Sequence, residues 1–201
     1  MLRRTLVLGG IALATVATGA TAQSAQKVSV QVSALGASLS GDGFEGWGTG
    51  TGFEGQVRYN HSALSIGGGF QLTRHALDGF DNKVSLGGAF LEPRYVIPTK
   101  SNSVAPYASL RLSVLKESGT LDDGVDEVTV SASGLTFNGG GGVLFRLTQT
   151  LNLDVGVTWG YTNFGDISAK VNGTTVNFPG LDAGSGTNAV FRVGLALGLG
   201  K

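Results

Sequence analysis

Residues 151–162 read Leu-Asn-Leu-Asp-Val-Gly-Val-Thr-Trp-Gly-Tyr-Thr, and this stretch decides the fold. Every odd position carries a large apolar or aromatic side chain, whereas every even position carries a glycine or a polar side chain. A period of two residues is that of a β-strand, because successive side chains of a strand point to opposite faces. The stretch therefore predicts a strand with an apolar face that ends in aromatic residues and a second face that is small and polar.

The same alternation recurs along the chain, and near the C-terminus residues 191–199 read Phe-Arg-Val-Gly-Leu-Ala-Leu-Gly-Leu. Helical spacing is missing, and the 34 glycines are scattered where each would cost up to about 1 kcal/mol in a helix. An apparent change of phase near Ala34 predicts a β-bulge in the first strand. The pattern predicts an all-β protein with eight strands at about residues 28–41, 51–59, 64–75, 83–97, 105–117, 128–146, 151–163 and 187–200.

The composition excludes several classes of function. Charged residues make up 14% of the chain, compared with about 25% in an ordinary soluble domain. Cysteine is absent, which excludes disulfide scaffolds, thiolate metal sites and cysteine nucleophiles. The formal net charge is zero and no basic patch with interleaved aromatic residues occurs, so we expect no nucleic acid as a partner.

Residues 1–22 are typical of a secretory signal peptide. Arg3 and Arg4 precede a short uncharged run that ends in Ala20-Thr21-Ala22, a small-x-small pattern that signal peptidase accepts. A membrane anchor helix is the alternative, but the run is short and rich in glycine, alanine and threonine. We expect cleavage after Ala22, which leaves residues 23–201 as one exported domain.

The polar face of the strands distinguishes two kinds of barrel. A soluble, lipocalin-like barrel holds its apolar face inward and presents lysine and glutamate to water. Here the polar face consists mostly of glycine, serine, threonine and asparagine, and lysine is rare in the strands. Such a face suits a narrow lumen, and the continuous apolar face suits hydrocarbon, which strands cross only as a closed barrel. The sequence therefore predicts an eight-stranded antiparallel up-and-down transmembrane β-barrel.

The few charged residues of the polar face then have to lie in the lumen. Charges in a space that side chains nearly fill have to be paired. We expect a narrow, polar and largely plugged lumen that holds a charge network. Its predicted members are Glu54, Arg58, Glu92, Arg94, Arg111, Arg146, Asp154 and Arg192.

The connections between the strands alternate in length. Residues 60–63, 98–104 and 148–150 form shorter connections, which is typical of the periplasmic side of such barrels. The longer connections are expected to be extracellular loops that could bind an extracellular ligand, and they lie at residues 41–50, 77–82, 118–127 and 164–186. The acidic run at 122–127 lacks the ligand spacing of a calcium loop, so no metal site is predicted there.

Two further motifs carry a family resemblance. Residues 90–95 read Phe-Leu-Glu-Pro-Arg-Tyr, and the last strand places Arg192, Gly194, Leu197 and Leu199 in the order polar, glycine, hydrophobic, hydrophobic. With the export signal, these residues resemble the small bacterial outer-membrane β-barrel family, the OmpA-like or outer membrane protein β-barrel domain class. The last-strand residues resemble the signal that the barrel assembly machinery reads, although this chain ends on Lys201 where family members usually end on an aromatic residue.

The resemblance implies a protein of the cell outer membrane with both termini in the periplasm. Outer-membrane lipid, lipopolysaccharide and the barrel assembly machinery are the implied partners. We expect a structural or surface-interaction role, with no enzyme activity and no catalytic, cofactor-binding or metal-binding residues. Three alternatives stay open: a small porin, a lipid-modifying enzyme that uses His75 with Asp78 and Asp81 at the outer rim, and a soluble periplasmic lipocalin-like barrel.

Overall fold

The computed structural model describes residues 26–122, 127–171 and 174–199. The predicted signal peptide and most of the acidic run at 122–127 lie outside these residues. None of the described residues belongs to a helix long and apolar enough to cross a membrane. The described strands are β1 (Val28–Ser40), β2 (Trp47–His61), β3 (Leu64–Leu77), β4 (Phe80–Val96), β5 (Val104–Asp122), β6 (Glu127–Arg146), β7 (Leu151–Phe164), β8 (Asp166–Val171), β9 (Thr174–Asp182) and β10 (Ser185–Leu199).

Eight of these strands close into one antiparallel barrel. Strands β1 to β7 pair in chain order, and β10 pairs with both β7 and β1 to complete the ring. Along β1 and β10 the pairing runs without a break from Val28–Leu199 to Ser40–Thr187. The predicted eight-stranded antiparallel barrel is therefore confirmed.

Strands β8 and β9 form a hairpin that extends the barrel wall at one rim. The pairing of β6 with β7 begins at Gly134, and residues 128–131 of β6 pair instead with β8. The segment 164–186, expected to be a loop, is therefore largely a strand hairpin. The expectation was wrong because the outward side chains of this hairpin are polar, so it lacks the apolar outward face by which the other strands were found.

Two other predicted loops are also largely strand. Residues 118–122 of β5 pair with residues 127–131 of β6. Leu77 pairs with Phe80, so Asp78 and Gly79 form a tight turn, in which Gly79 has a φ of 81°. The positive φ favours glycine at this position. Of the four longer connections, the one between β1 and β2 remains a loop in the described part of the chain, and it contains a single 3₁₀ turn at Asp42–Phe44.

The barrel has its apolar face outward in the middle of the strands. Leu112, Phe137 and Trp159 are 52%, 58% and 65% exposed, whereas the polar side chains between them are buried. A soluble ligand-binding barrel has the opposite arrangement. The soluble lipocalin-like alternative is therefore wrong.

Towards the rim that carries the hairpin, the inward side chains change from polar to apolar, while the strand register continues unchanged. On β1, the inward side chains change from Gln31 and Ser33 to Leu35, while the outward Val32 is 62% exposed. The pairing of β1 with both neighbours continues through Ala34 without a shift. The predicted bulge near Ala34 is therefore wrong. Side chains keep alternating there, but their outward surroundings change from hydrocarbon to water, so the apolar residues turn inward.

An apolar cluster fills the barrel at this rim. It is formed by Phe44, Leu86, Leu115, Ala132 and Phe164, and the Phe44 and Phe164 rings meet edge to face at 5.6 Å. A smaller cluster of Val96, Ala105 and Tyr107 lies towards the short turns at the other rim. Most of the polar interior of the barrel lies between these two clusters.

Candidate functional site

Seven of the eight predicted lumen residues meet in the middle of the barrel. They project inward from five strands, and each side chain is buried. Their positions follow from the alternation, because each shares a face with the small polar residues of its strand. They are Glu54 and Arg58 on β2, Glu92 and Arg94 on β4, Arg111 on β5, Asp154 on β7 and Arg192 on β10.

Glu92 is the centre of this ion network. Its Oε1 accepts hydrogen bonds from Arg58 Nη2 at 2.9 Å and from Arg94 Nε. Its Oε2 accepts from Arg111 Nε at 2.7 Å and from Arg192 Nη1 at 3.0 Å. One buried carboxylate therefore connects arginines from β2, β4, β5 and β10.

Two further carboxylates neutralise most of the remaining charge. Glu54 Oε2 lies 2.8 Å from Arg111 Nη1, and Glu54 Oε1 lies 3.4 Å from Arg192 Nη1. Asp154 Oδ2 lies 3.0 Å from Arg94 Nη1 and 3.6 Å from Arg192 Nε. The network thus holds four guanidinium groups and three carboxylates, and buried charges are tolerated only in such paired, hydrogen-bonded arrangements.

Neutral side chains complete the hydrogen bonding around Asp154. The Tyr107 hydroxyl donates to Asp154 Oδ1 at 2.7 Å and accepts from Arg192 Nη2 at 3.0 Å. Gln31 Nε2 donates to Asp154 Oδ2 at 2.7 Å. These partners were not among the predicted site residues. Their positions in the strand alternation could have identified them, since Tyr107 shares the inward face of β5 with Arg111.

The glycine-rich part of β6 makes room for this arrangement. Gly142 on β6 and Gly156 on β7 lie against the Tyr107 hydroxyl, where a Cβ at either position would overlap the oxygen. The guanidinium of Arg94 lies over the Tyr107 ring, 4.4 Å from its centre, as is typical of a cation–π contact. Small residues on the neighbouring strands therefore allow one large side chain to reach across the lumen.

Small cavities lie on both sides of the ion network. One of about 20 Å³ is bordered by Arg58, Arg94 and Asn152 on the side of the short turns. Another of about 20 Å³ is bordered by Arg111 and Asn138 on the side of the hairpin. A cavity of this size holds about one water molecule.

Arg146 is placed apart from the network. It is half-buried at the end of β6, where it pairs with Asn152, two residues beyond Asp154 towards the short turns. The described ion pairs of Glu54, Glu92 and Asp154 are made by the four other arginines. The alternation along β6 predicted which face of the strand carries Arg146, but not how far along the barrel axis this residue lies.

The described contacts of His75 differ from the catalytic pair considered for a lipid-modifying enzyme. It is fully buried and points into the barrel, where Nδ1 lies 3.1 Å from the Gly48 carbonyl oxygen and Nε2 lies 2.9 Å from Thr73 Oγ1. Donation from Nδ1 to Gly48 leaves Nε2 to accept from the threonine hydroxyl. Asp78 lies in the exposed turn, and the side chain of Asp81 lies outside the described residues. Both ring nitrogens of His75 are therefore engaged in hydrogen bonds inside the barrel.

The buried His75 predicts a pH-dependent stability. Its neighbour Arg74 points outward, so this level lies beyond the lipid-facing band. Burial lowers the pKa of His75 below its ordinary 6.5, and the hydrogen bond to Gly48 opposes this only in part. Unfolded chains therefore bind the proton more readily, and stability falls as pH decreases through the unfolded pKa.

We expect this loss to be smaller in His75→Gln than in the unchanged protein. The measurement is the free energy of unfolding of the refolded barrel between about pH 8 and about pH 5.5, a range that spans the ordinary histidine pKa. His61→Gln, which replaces the histidine at the exposed end of β2, is the matched control for the substitution itself. An equal slope in His75→Gln and the unchanged protein would contradict the assignment.

The predicted assembly-signal residues have distinct places in β10. Arg192 belongs to the ion network, and Gly194 lies inward against Ser33, where a Cβ would overlap the hydroxyl. Leu197 and Leu199 point outward and are 48% and 45% exposed. Each residue thus has a role in the folded barrel, and recognition by the assembly machinery stays a prediction.

The described residues contain no group of three or more histidine, aspartate or glutamate side chains placed to hold a metal ion. The acidic run at 122–127 lies mostly outside the described part of the chain. The candidate site is therefore the ion network itself, together with the two apolar clusters beside it.

Solved structures with the same fold are outer-membrane proteins. Neisserial surface protein A has a TM-score of 0.57 and 22% identity over 86% of this chain and 97% of that chain. A major outer membrane protein from Thermus thermophilus has a TM-score of 0.53 and 16% identity over 85% and 98%. Ail, the attachment invasion locus protein of Yersinia pestis, has a TM-score of 0.52 and 14% identity over 86% and 97%. At these identities the likeness concerns the fold.

A search of curated protein sequences found no significant match. The model of one protein family, described as the outer membrane protein beta-barrel domain, matches residues 7–198. This range includes every described strand of the barrel except the last residue of β10. The closed barrel, its outward apolar face and this match together show that the chain belongs to the outer membrane protein β-barrel domain family and is located in the outer membrane.

Proposed function

We propose that this protein is a non-conducting outer-membrane barrel with a structural or surface-interaction role. The observation that carries the proposal is the bonding of one buried carboxylate, Glu92, to four arginines. Three of these arginines come from other strands, so the network connects opposite walls across the lumen. A barrel of about eight strands has an interior that side chains just fill.

The layers on either side of the network support the same function. An ion that crosses the barrel needs a continuous path of water. The cavities beside the network each hold about one water molecule, and residues of one apolar cluster line each cavity. Opening a path would separate buried ion pairs, and a buried charge that loses its partner costs about 3–5 kcal/mol.

The surface-interaction part of the proposal rests on the β8–β9 hairpin. Every residue of β9 is exposed, and the apolar side chains of Val176, Phe178 and Leu181 are 46%, 41% and 54% exposed. The hairpin projects beyond the lipid-facing band, where an exposed apolar side chain contacts water unless a partner covers it. We also infer that the end of β10 is read by the barrel assembly machinery.

The small-porin alternative is tested by conductance in planar bilayers. We expect the refolded protein to give no unitary current steps, because on this proposal the ion network interrupts the path of water through the lumen. Heat-modifiable gel mobility should verify that the inserted protein is folded. Unitary steps that change in Arg192→Gln, but not in the exposed control Lys83→Gln, would show that current passes through the barrel and would overturn the proposal.

A further inference from the structure

The cavity on the side of the short turns is bordered by two arginines of the ion network, Arg58 and Arg94. We refer to it as the arginine cavity. Its volume is about 20 Å³, and no aspartate or glutamate is among the described residues that border it. The polar side chains that complete its lining are Ser29, Gln31, Asn60, Ser65 and Asn152.

The charges of the ion network beside this cavity do not balance. The network holds four guanidinium groups and three carboxylates, and all seven side chains are buried. A buried charge without a counter-charge is strongly unfavourable. Within the described part of the chain, the network is therefore one negative charge short.

Both arginines of the cavity have an N–H group that the network does not use. Arg94 is 2% exposed, and its Nε and Nη1 contact Glu92 and Asp154, whereas Nη2 has no hydrogen-bond partner among the described residues. Arg58 is 5% exposed, and its Nε also has no partner there. A buried N–H group of a cation needs an acceptor, so each of these groups favours a ligand that accepts hydrogen bonds.

Two serines of the lining supply further donors. Ser65 Oγ accepts a hydrogen bond from Arg58 Nη1 at 3.1 Å, and Ser29 Oγ accepts one from Asn60 Nδ2 at 3.3 Å. A hydroxyl group that accepts still has one hydrogen to donate. In the described contacts neither serine donates, so both hydroxyl groups can turn their hydrogen towards a ligand in the cavity.

From charge, donors and size together, we propose that the arginine cavity binds one chloride ion between the guanidinium groups of Arg58 and Arg94. A water molecule would fit the volume but would leave the excess positive charge. A phosphate or carboxylate group has more atoms than a space for about one water molecule can hold. Chloride is a single atom only slightly larger than water, and it supplies the missing charge.

This role goes beyond the non-conducting function proposed above and does not depend on it. The chloride ion is held at rest beside the network and replaces a fourth carboxylate. A failure to bind chloride would leave the conductance test unaffected, and a conducting barrel would leave the chloride tests unaffected.

The direct test uses bromide, which replaces chloride and is identified in a crystal by its anomalous X-ray scattering. In crystals of the refolded full chain grown in sodium bromide, we expect a bromide peak between Arg58 and Arg94. A map that shows no bromide in the arginine cavity would mean that water fills it, and this result would overturn the proposal.

The second test measures urea unfolding from lipid vesicles as sodium chloride replaces sodium gluconate. Constant ionic strength keeps the general screening of charges unchanged, and gluconate is too large for the cavity. The equilibrium constant for unfolding should fall about tenfold for each tenfold rise in chloride above its dissociation constant, as for one bound ion. No dependence on chloride would contradict the proposal.

Asn152→Asp distinguishes this cavity from other places where chloride could bind. The substitution keeps the size of the side chain and puts a carboxylate beside the two arginines, so both the bromide peak and the chloride dependence should disappear. Asn163→Asp, at an exposed position of β7, is the matched control and should keep both. An unchanged chloride dependence in Asn152→Asp would overturn the assignment, and heat-modifiable gel mobility verifies that each variant is folded.

Discussion

Replacement of Glu92 by glutamine is expected to lower the free energy of unfolding by about 3–5 kcal/mol, the usual cost of removing one partner from a buried ion pair. The amide keeps the size of the side chain but leaves four arginines with only the carboxylates of Glu54 and Asp154. Excess positive charge then stays buried in the lumen. The measurement is urea unfolding of the barrel refolded in lipid vesicles, followed by tryptophan fluorescence.

Glu117→Gln is the matched control for this substitution. Glu117 points inward between Leu86 and Ala132, above the lipid-facing band, and its Oε2 has no hydrogen-bond partner among the described residues. Burial raises the pKa of Glu117 to about 7, so the folded state holds this proton more tightly than the unfolded state. Stability therefore falls as pH rises from the ordinary value of 4.5 through about 7.

In Glu117→Gln this fall should disappear, and at about pH 8 the variant should be at least as stable as the unchanged protein. Glu92→Gln should lower the free energy of unfolding, whereas Glu117→Gln should not lower it at about pH 8. This difference distinguishes a specific ion network from a general requirement for carboxylates inside the barrel. Equal losses in both variants would show that Glu92 has no special place in the lumen.

Leu112→Arg is expected to lower the free energy of unfolding by about 2–4 kcal/mol, which is the usual cost of arginine on the lipid face near the bilayer midplane. Leu112 is 52% exposed on β5, between the outward Leu110 and Val114. The loss arises because the guanidinium enters hydrocarbon or distorts the bilayer to avoid it. Unfolding by urea from lipid vesicles measures the difference.

Ser118→Arg is the control for depth. Ser118 lies on the same face of the same strand, beyond Lys116 and therefore outside the lipid-facing band. Arginine there should cost only about 0–1 kcal/mol, as is usual near the membrane interface. Similar losses at both positions would mean that the apolar face of the barrel does not contact lipid.

The alternation of side chains along each strand was enough to predict most of the charged residues that line the lumen. Asp154 and Arg192 lie on the small, polar face of unmistakably alternating strands, so a closed barrel has to bring them inside. The same alternation places Tyr107 on the inward face, where its hydroxyl group bonds to both Asp154 and Arg192. The alternation carries no information on position along the barrel axis. It therefore did not predict that Arg146 lies nearer the rim than its predicted partners.

The errors in strand assignment lie at the rim that carries the β8–β9 hairpin. The stretch near Ala34 appeared to change the phase of β1, and the polar segment 164–186 appeared to be a loop. In the structure the strands continue with an unbroken register, while apolar side chains turn inward and polar ones turn outward. A pattern of hydrophobicity cannot distinguish a slipped register from a changed solvent, because both exchange the faces on which apolar residues lie.

The sequence by itself determined an all-β chain, its antiparallel barrel and the side of each strand that meets lipid, because a period of two is a local property of the backbone. Only the tertiary structure decided which charges meet, that Glu92 binds four arginines, and that the β8–β9 hairpin replaces β7 beside β6. These features depend on the stagger between strands that are distant in the chain. That stagger is set when the ring closes and is not encoded in any single strand.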